Sequence, residues 1–129
     1  MVNIYILFIR AVLEQSCIVW HSSISQEDSN SIERVQKTAL RIILGQEYID
    51  YQTALILTGL PTLKQRRADL CLQFAIRNVK NDTDYGLFPK NVKTVNTRPH
   101  EKFFVTPART ERLAMSAVPY MQRLLNQHF

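Results

Sequence analysis

Along much of the chain apolar residues recur at three- and four-residue steps, the spacing that gives a helix one greasy and one wet side. The pattern is sharpest after Ser25, where Ile32, Val35, Ala39, Ile42 and Ile43 alternate with Glu33, Arg34, Lys37 and Arg41. Ser25 is placed to cap the start of this helix, with Asp28 three residues on, and Gly45 supplies a left-handed stop. Glu33 with Lys37 makes an attractive i,i+4 pair and Lys37 with Arg41 a repulsive one. Charge pairing therefore adds little, and the apolar stripe must stabilise the helix.

Three further helices are expected before residue 80. From Asn3 to Val19 the residues are apolar almost all round, and no Gly or Pro interrupts them. This predicts a buried helix, with Arg10 and Glu14 paired four apart and Trp20-His21-Ser22-Ser23 as the break. The competing strand, Ile4 to Ile9, is short, β-branched and aromatic, but the length of the uninterrupted segment favours a helix. Asp50 can cap a short helix carrying Tyr51, Ala54, Leu55 and Leu57, which Gly59 ends before Leu60-Pro61 turns the chain. Thr62 and Gln65 then fit a capping box, and Leu63, Leu70, Leu72, Phe74, Ala75 and Val79 give an apolar side to about Lys80.

Beyond Asn81 the periodicity is lost among Asp82, Asp84, Gly86, Pro89, Asn91, Asn96, Pro99 and Pro107. So long an irregular stretch must either lie on the helices through Leu87, Phe88, Phe103 and Phe104 or be ordered by a neighbour. A last helix is expected with Ser116 as N-cap, Pro119 in its first turn and Met121, Leu124 and Leu125 on its apolar side. The expected fold is all-α with about five helices: a helical core over 1–80, an irregular basic segment over 81–110 and a terminal helix within 111–129 packing on the core. The candidate core is Leu7, Leu13, Trp20, Val35, Leu40, Ile43, Leu55, Leu60, Leu72 and Phe74.

At 129 residues, 46% of them hydrophobic and 21% charged, the chain has room for one ordinary core and is unlike disordered, collagen-like or disulfide-scaffold sequences. Lys and Arg number 16 against 11 Asp and Glu, so a net charge of +5 would tolerate an anionic partner. Cys17 and Cys71 match no disulfide framework, which points to free thiols and an intracellular setting, cytoplasm or nucleus. No Lys or Arg precedes Ile4 to Ile9 and Arg10 follows at once, a poor match to a signal peptide. No apolar run reaches the roughly 20 residues of a membrane span, so no membrane is expected, and the Asn81-Asp82-Thr83 sequon should escape glycosylation.

Candidate chemistry is sparse. Cys17 and His21 have a spacing that zinc sites use, but a second pair would have to come from Cys71, His100 and His128, which are scattered. Neither cysteine carries the signature of an activated nucleophile, and Asp82-Thr83-Asp84 lacks the later ligands of a calcium loop. The three isolated glycines make no phosphate-cradling loop, so neither a cofactor nor a small-molecule substrate is expected. The densest basic cluster is Lys64, Arg66 and Arg67 with Arg77 and Lys80, joined by Arg34, Lys37 and Arg41. A second basic stretch, Lys90, Lys93, Arg98, Lys102, Arg109 and Arg112, is interleaved with Phe103 and Phe104, which could stack bases or pin the segment to the core.

The order of segments is itself informative. Ile9-Arg10, Val12-Leu13-Glu14, Ser16-Cys17 and Val19-Trp20-His21 are followed by Ile32-Glu33-Arg34-Val35-Gln36-Lys37, Ala39-Leu40-Arg41-Ile42-Ile43 and Gly45. Ala54-Leu55, Gly59-Leu60-Pro61-Thr62-Leu63, Arg66-Arg67, Leu70-Cys71-Leu72 and Phe74-Ala75 come next, then Arg109-Thr110, Ser116, Pro119 and Leu124-Leu125-Asn126. Over almost the whole chain this succession resembles the carboxy-terminal part of reverse transcriptases from non-LTR retrotransposons of the jockey type. Ala11 and Gln15 depart from that pattern, which usually has proline and an aromatic residue there.

The resemblance implies a parent enzyme that copies RNA into DNA with palm carboxylates and divalent metal lying upstream of these residues. No adjacent Asp-Asp pair occurs in the chain, so no catalytic residue carries over. The expected role is therefore non-catalytic: support for upstream reverse-transcriptase domains, with Lys64, Arg66, Arg67 and Arg77 as candidate contacts to RNA or DNA. The alternative is a helical protein-interaction module without nucleic-acid binding, using Ile4 to Ile9, Phe103 and Phe104.

Overall fold

The computed structural model describes residues 1–80, 87–90 and 102–129. The sequon at Asn81, the Asp82 to Asp84 turn, Lys93, Arg98 and His100 lie outside the described residues. Helices dominate and no strand occurs among the described residues, so the chain is all-α. Two compact units are formed, one from Met1–Cys17 with Ile24–Ala68 and one from Ile18–Ser23 with Asp69–Phe129.

The elements run α1 (Val2–Ile4), a π-helix (Tyr5–Arg10), α2 (Ala11–Leu13), α3 (Cys17–Trp20), α4 (Gln26–Leu44), a 3-10 turn (Gly45–Glu47), α5 (Tyr51–Thr58), α6 (Leu63–Lys80), α7 (Glu111–Ala114) and α8 (Ala117–His128). The local stop and start signals act as their chemistry dictates. The Ser25 hydroxyl accepts the Asp28 N–H at 3.0 Å, Asp50 accepts the Thr53 N–H at 2.6 Å, and Thr62 accepts the Gln65 N–H at 3.2 Å. Gly59 ends α5 in the left-handed region, at φ 67 and ψ 21. Gly45 has φ 53 but ψ −115, outside the left-handed helical well and open in practice only to glycine.

The first helical segment differs from the buried rod that its composition predicts. Glu14 to Ser16 interrupt it, Ser16 having a positive φ of 55, and the widened π turn separates α1 from α2. Tyr5 is buried and Val2 and Ile6 pack on the first unit's core, while Ile4, Leu7, Phe8 and Val12 face solvent. Leu7, expected in the core, is 68% exposed. The reason is one-sided support: a rod apolar all round needs neighbours all round, and within its unit this one is covered on a single side.

The core of the first unit is Tyr5, Leu40, Ala54, Leu55 and Leu60, with Ala39, Ile43, Tyr48 and Tyr51 packed against it. Val35 is a second correction, since it is 42% exposed while its neighbour Gln36 is fully buried. The helix is thus rolled by about one residue, some 100°, from the apolar-stripe register, and Ile42 points outward with it.

In the second unit Cys71, Ala75, Phe88, Phe103, Met121 and Leu125 form the core, with Ile18, Phe74 and Leu124 against it. Phe88 and Phe103 pin their segments inward, whereas Leu87 and Phe104 are exposed. The two segments pair through the Phe104 N–H, which donates to the Pro89 carbonyl at 2.8 Å. Buried Gln122 donates to the Leu87 carbonyl at 2.7 Å and accepts the Thr106 N–H at 2.8 Å. Asn126 accepts the Phe103 N–H at 2.8 Å and donates to the same residue's carbonyl at 3.0 Å. Side-chain amides of α8 thereby serve the extended chain as a neighbouring strand would. The short α7, capped by Thr110, is an element the periodicity did not predict. Ser116 precedes α8 with cap-like dihedrals, but its hydroxyl donates to the Leu113 carbonyl at 2.7 Å.

Two measurements check this arrangement. Leu40→Ala should cost about 2–5 kcal/mol, while Leu7→Ser on the exposed side should stay within about 0.5 kcal/mol in denaturant unfolding. Hydrogen bonds from the Thr53 backbone N–H and side chain hold the Asp50 carboxyl below its usual range, so the unfolded chain binds that proton more tightly than the folded one. This stabilisation is complete above the ordinary carboxylate range and fades as pH falls through the lowered value. Asp50→Asn should flatten the acid limb of thermal stability against pH and leave its neutral region parallel to that of the parent.

Candidate nucleic-acid interface

Within the first unit, the amino end of α6 meets the side of α4. Four backbone N–H groups are orphaned at any helix start and carry partial positive charge. Here the Glu33 carboxylate from α4 answers them, accepting the Leu63 N–H at 3.0 Å and the Lys64 N–H at 3.2 Å. The Tyr51 hydroxyl donates a third hydrogen bond to the same carboxylate. Behind it, buried Gln36 donates to the Tyr51 hydroxyl and to the Pro61 carbonyl, each at 3.0 Å, and accepts from the Tyr5 hydroxyl at 2.8 Å. Burial pushes the Tyr5 phenol up to about 12, and burial with the Glu33 bond pushes that of Tyr51 further above its ordinary range. Both stay protonated and donating at neutral pH.

The predicted contact residues meet different fates along α6. Lys64 is exposed. The Arg66 guanidinium is held by Glu14 at 2.5 Å, and Arg10 approaches the same carboxylate at 3.6 Å. Arg67 is fully buried, with Nη2 donating to the Ser29 hydroxyl at 2.8 Å, a placement unsuited to touching a phosphate. Arg77 is exposed and belongs to the second unit.

Around Glu33 two shallow clefts open, of about 300 and 170 Å3, sharing Asn30 and Glu33. Arg34 and Lys37 line the first and Lys64 the second. All three cations are exposed, and among the described residues none is in an ion pair. The Glu33 to Lys37 pair expected from spacing is therefore absent, because the carboxylate is turned to the amino end of α6 instead. Glu33, Gln36 and Tyr51 are the residues sequence reasoning missed. Their partners lie 15 to 31 positions away, and nothing local marks them.

Elsewhere both cysteines are buried and neither is in a disulfide, and burial with the nearby Glu14 carboxylate pushes the Cys17 thiol up, away from the nucleophilic thiolate. His21 sits edge-on to Tyr120 with ring centroids 5.6 Å apart. No three His, Cys, Asp or Glu side chains gather as a metal shell among the described residues. No helix among those residues is long and apolar enough to cross a membrane. Comparison with protein-family models, with curated proteins and with solved structures finds no match.

Removing the carboxylate orphans two backbone donors and a phenol together. Glu33→Ala should destabilise the first unit by about 2–3 kcal/mol, and Glu33→Gln, which keeps an acceptor, by visibly less in chemical unfolding.

Proposed function

We propose that the chain is a non-catalytic helical support element, of the kind found in the carboxy-terminal part of the jockey-type reverse transcriptases that its sequence resembles, and that it contacts nucleic-acid backbone. In the first unit the contact is made by Lys64 with Arg34 and Lys37, and in the second Arg77 offers a separate one. The observation that carries this reading is the gathering of three exposed cations around a carboxylate already engaged by backbone and phenol donors. Their charge is left to the solvent side, where phosphates would displace counterions. Arg66 and Arg67 act differently, as struts to Glu14 and Ser29.

The reading also takes upstream polymerase domains as partners, on the strength of the resemblance, and an intracellular setting, which suits two buried cysteines outside any disulfide. Backbone contacts carry no base specificity, so RNA and DNA of one length should bind alike.

Salt dependence tests the reading. For the full chain and single-stranded RNA, the slope of log affinity against log salt should become shallower by about 2 in the triple variant Arg34→Ala, Lys37→Ala, Lys64→Ala, since each lost phosphate contact removes roughly 0.7. An unchanged slope overturns it.

A further inference from the structure

On the other flank of α4, the outward roll of Val35 leaves a groove of about 370 Å3 between that helix and the first helical segment. Its floor is apolar, from Ile9, Val35, Ala39 and Ile42, and only Ser31, Thr38 and Arg34 bring polar atoms to it. Val35 is 42% exposed and Ile42 70%, so the floor is open along two helical turns, about 10 Å. From the first segment Ile9 lines it, itself 42% exposed.

The opposite edge has a sign. Arg34 and Arg41, seven residues apart, fall on one side of the Val35 to Ile42 stripe, both exposed, and the Arg41 guanidinium is steadied over the Tyr48 ring at 5.3 Å. Among the described residues no carboxylate lines the groove. A floor that repeats at steps of four and three is the complement of a helix with anchors at i, i+3 or i+4 and i+7. A cationic edge beside it asks for acidic residues along one flank of that helix.

We infer that the groove formed by Ile9, Val35, Ala39 and Ile42 and edged by Arg34 and Arg41 docks an acidic amphipathic helix from a partner protein. A second copy of this chain is disfavoured, because pairing two copies about an axis at Val35 would set Arg34 against Arg34. Nucleic acid is a poor occupant, since the floor offers apolar side chains and no aromatic platform for bases. The inference goes beyond the phosphate-contact reading and does not depend on it.

The test uses the full chain and labelled helical peptides of about 18 residues, sharing one apolar stripe and flanked by Glu or by Lys, with a scrambled Glu peptide as control. The Glu-flanked peptide should bind at least about tenfold more tightly than the Lys-flanked and scrambled peptides. Val35→Asp with Ile42→Asp, both at exposed positions, should lose that affinity with an unchanged circular dichroism spectrum. Arg34→Glu with Arg41→Glu should reverse the preference towards the Lys-flanked peptide. Equal binding of the scrambled peptide, or no reversal, overturns the inference. So does a chain that dimerises through this face and is made monomeric by Val35→Asp. RNA binding separates the two readings: the uncharged pair Val35→Ser with Ile42→Ser should leave it intact while losing the peptide, and Lys37→Ala with Lys64→Ala should weaken it while sparing the peptide.

Discussion

A carboxylate at a helix start governs the first unit. Glu33 holds the amino end of α6 against α4 through two backbone N–H groups, and its position leaves α4 no freedom to roll. Once Glu33 faces that end, Gln36 three residues on must face inward, and the chain supplies it with Tyr5, Tyr51 and Pro61. A buried amide with its groups satisfied is compatible with a core, whereas one left short would be costly. Val35 and Ile42 are then forced to the outside. The apolar groove on one flank and the cations on the other both follow from this single setting of α4.

How much of this was written in the sequence depends on range. Caps were legible because their partners lie three residues away: Ser25 with Asp28, Asp50 with Thr53 and Thr62 with Gln65 all act as the local pattern demands. The helical class and most helix bounds follow from the same short-range signals. The roll of α4 was not legible, because apolar periodicity weighs Val35 above Gln36 and cannot see Tyr5 thirty-one positions away. The first segment misled for a related reason. Its all-round apolar composition says that contact would be favourable on every side, and not that the chain supplies a neighbour on every side.

The basic residues divide by the same logic. Lys64, Arg66 and Arg67 are nearly contiguous, and charge density alone treats them as one surface. Two helical steps, about 200°, separate Lys64 from Arg66 and one, about 100°, separates Arg66 from Arg67, so their side chains reach solvent, Glu14 and Ser29 respectively. The buried member is a structural donor, and a count of charges along the sequence overstates what a phosphate would meet.

In the second unit the extended chain near Phe103 is fastened by a carboxamide that both gives and receives. That choice of group carries a chemical vulnerability. Hydrolytic loss of ammonia from Asn126 would swap the nitrogen facing the Phe103 carbonyl for a second oxygen, setting two acceptors against each other and adding a negative charge at the clasp. Slow covalent ageing at one side chain would thus unfasten a segment that no change in its own residues had touched.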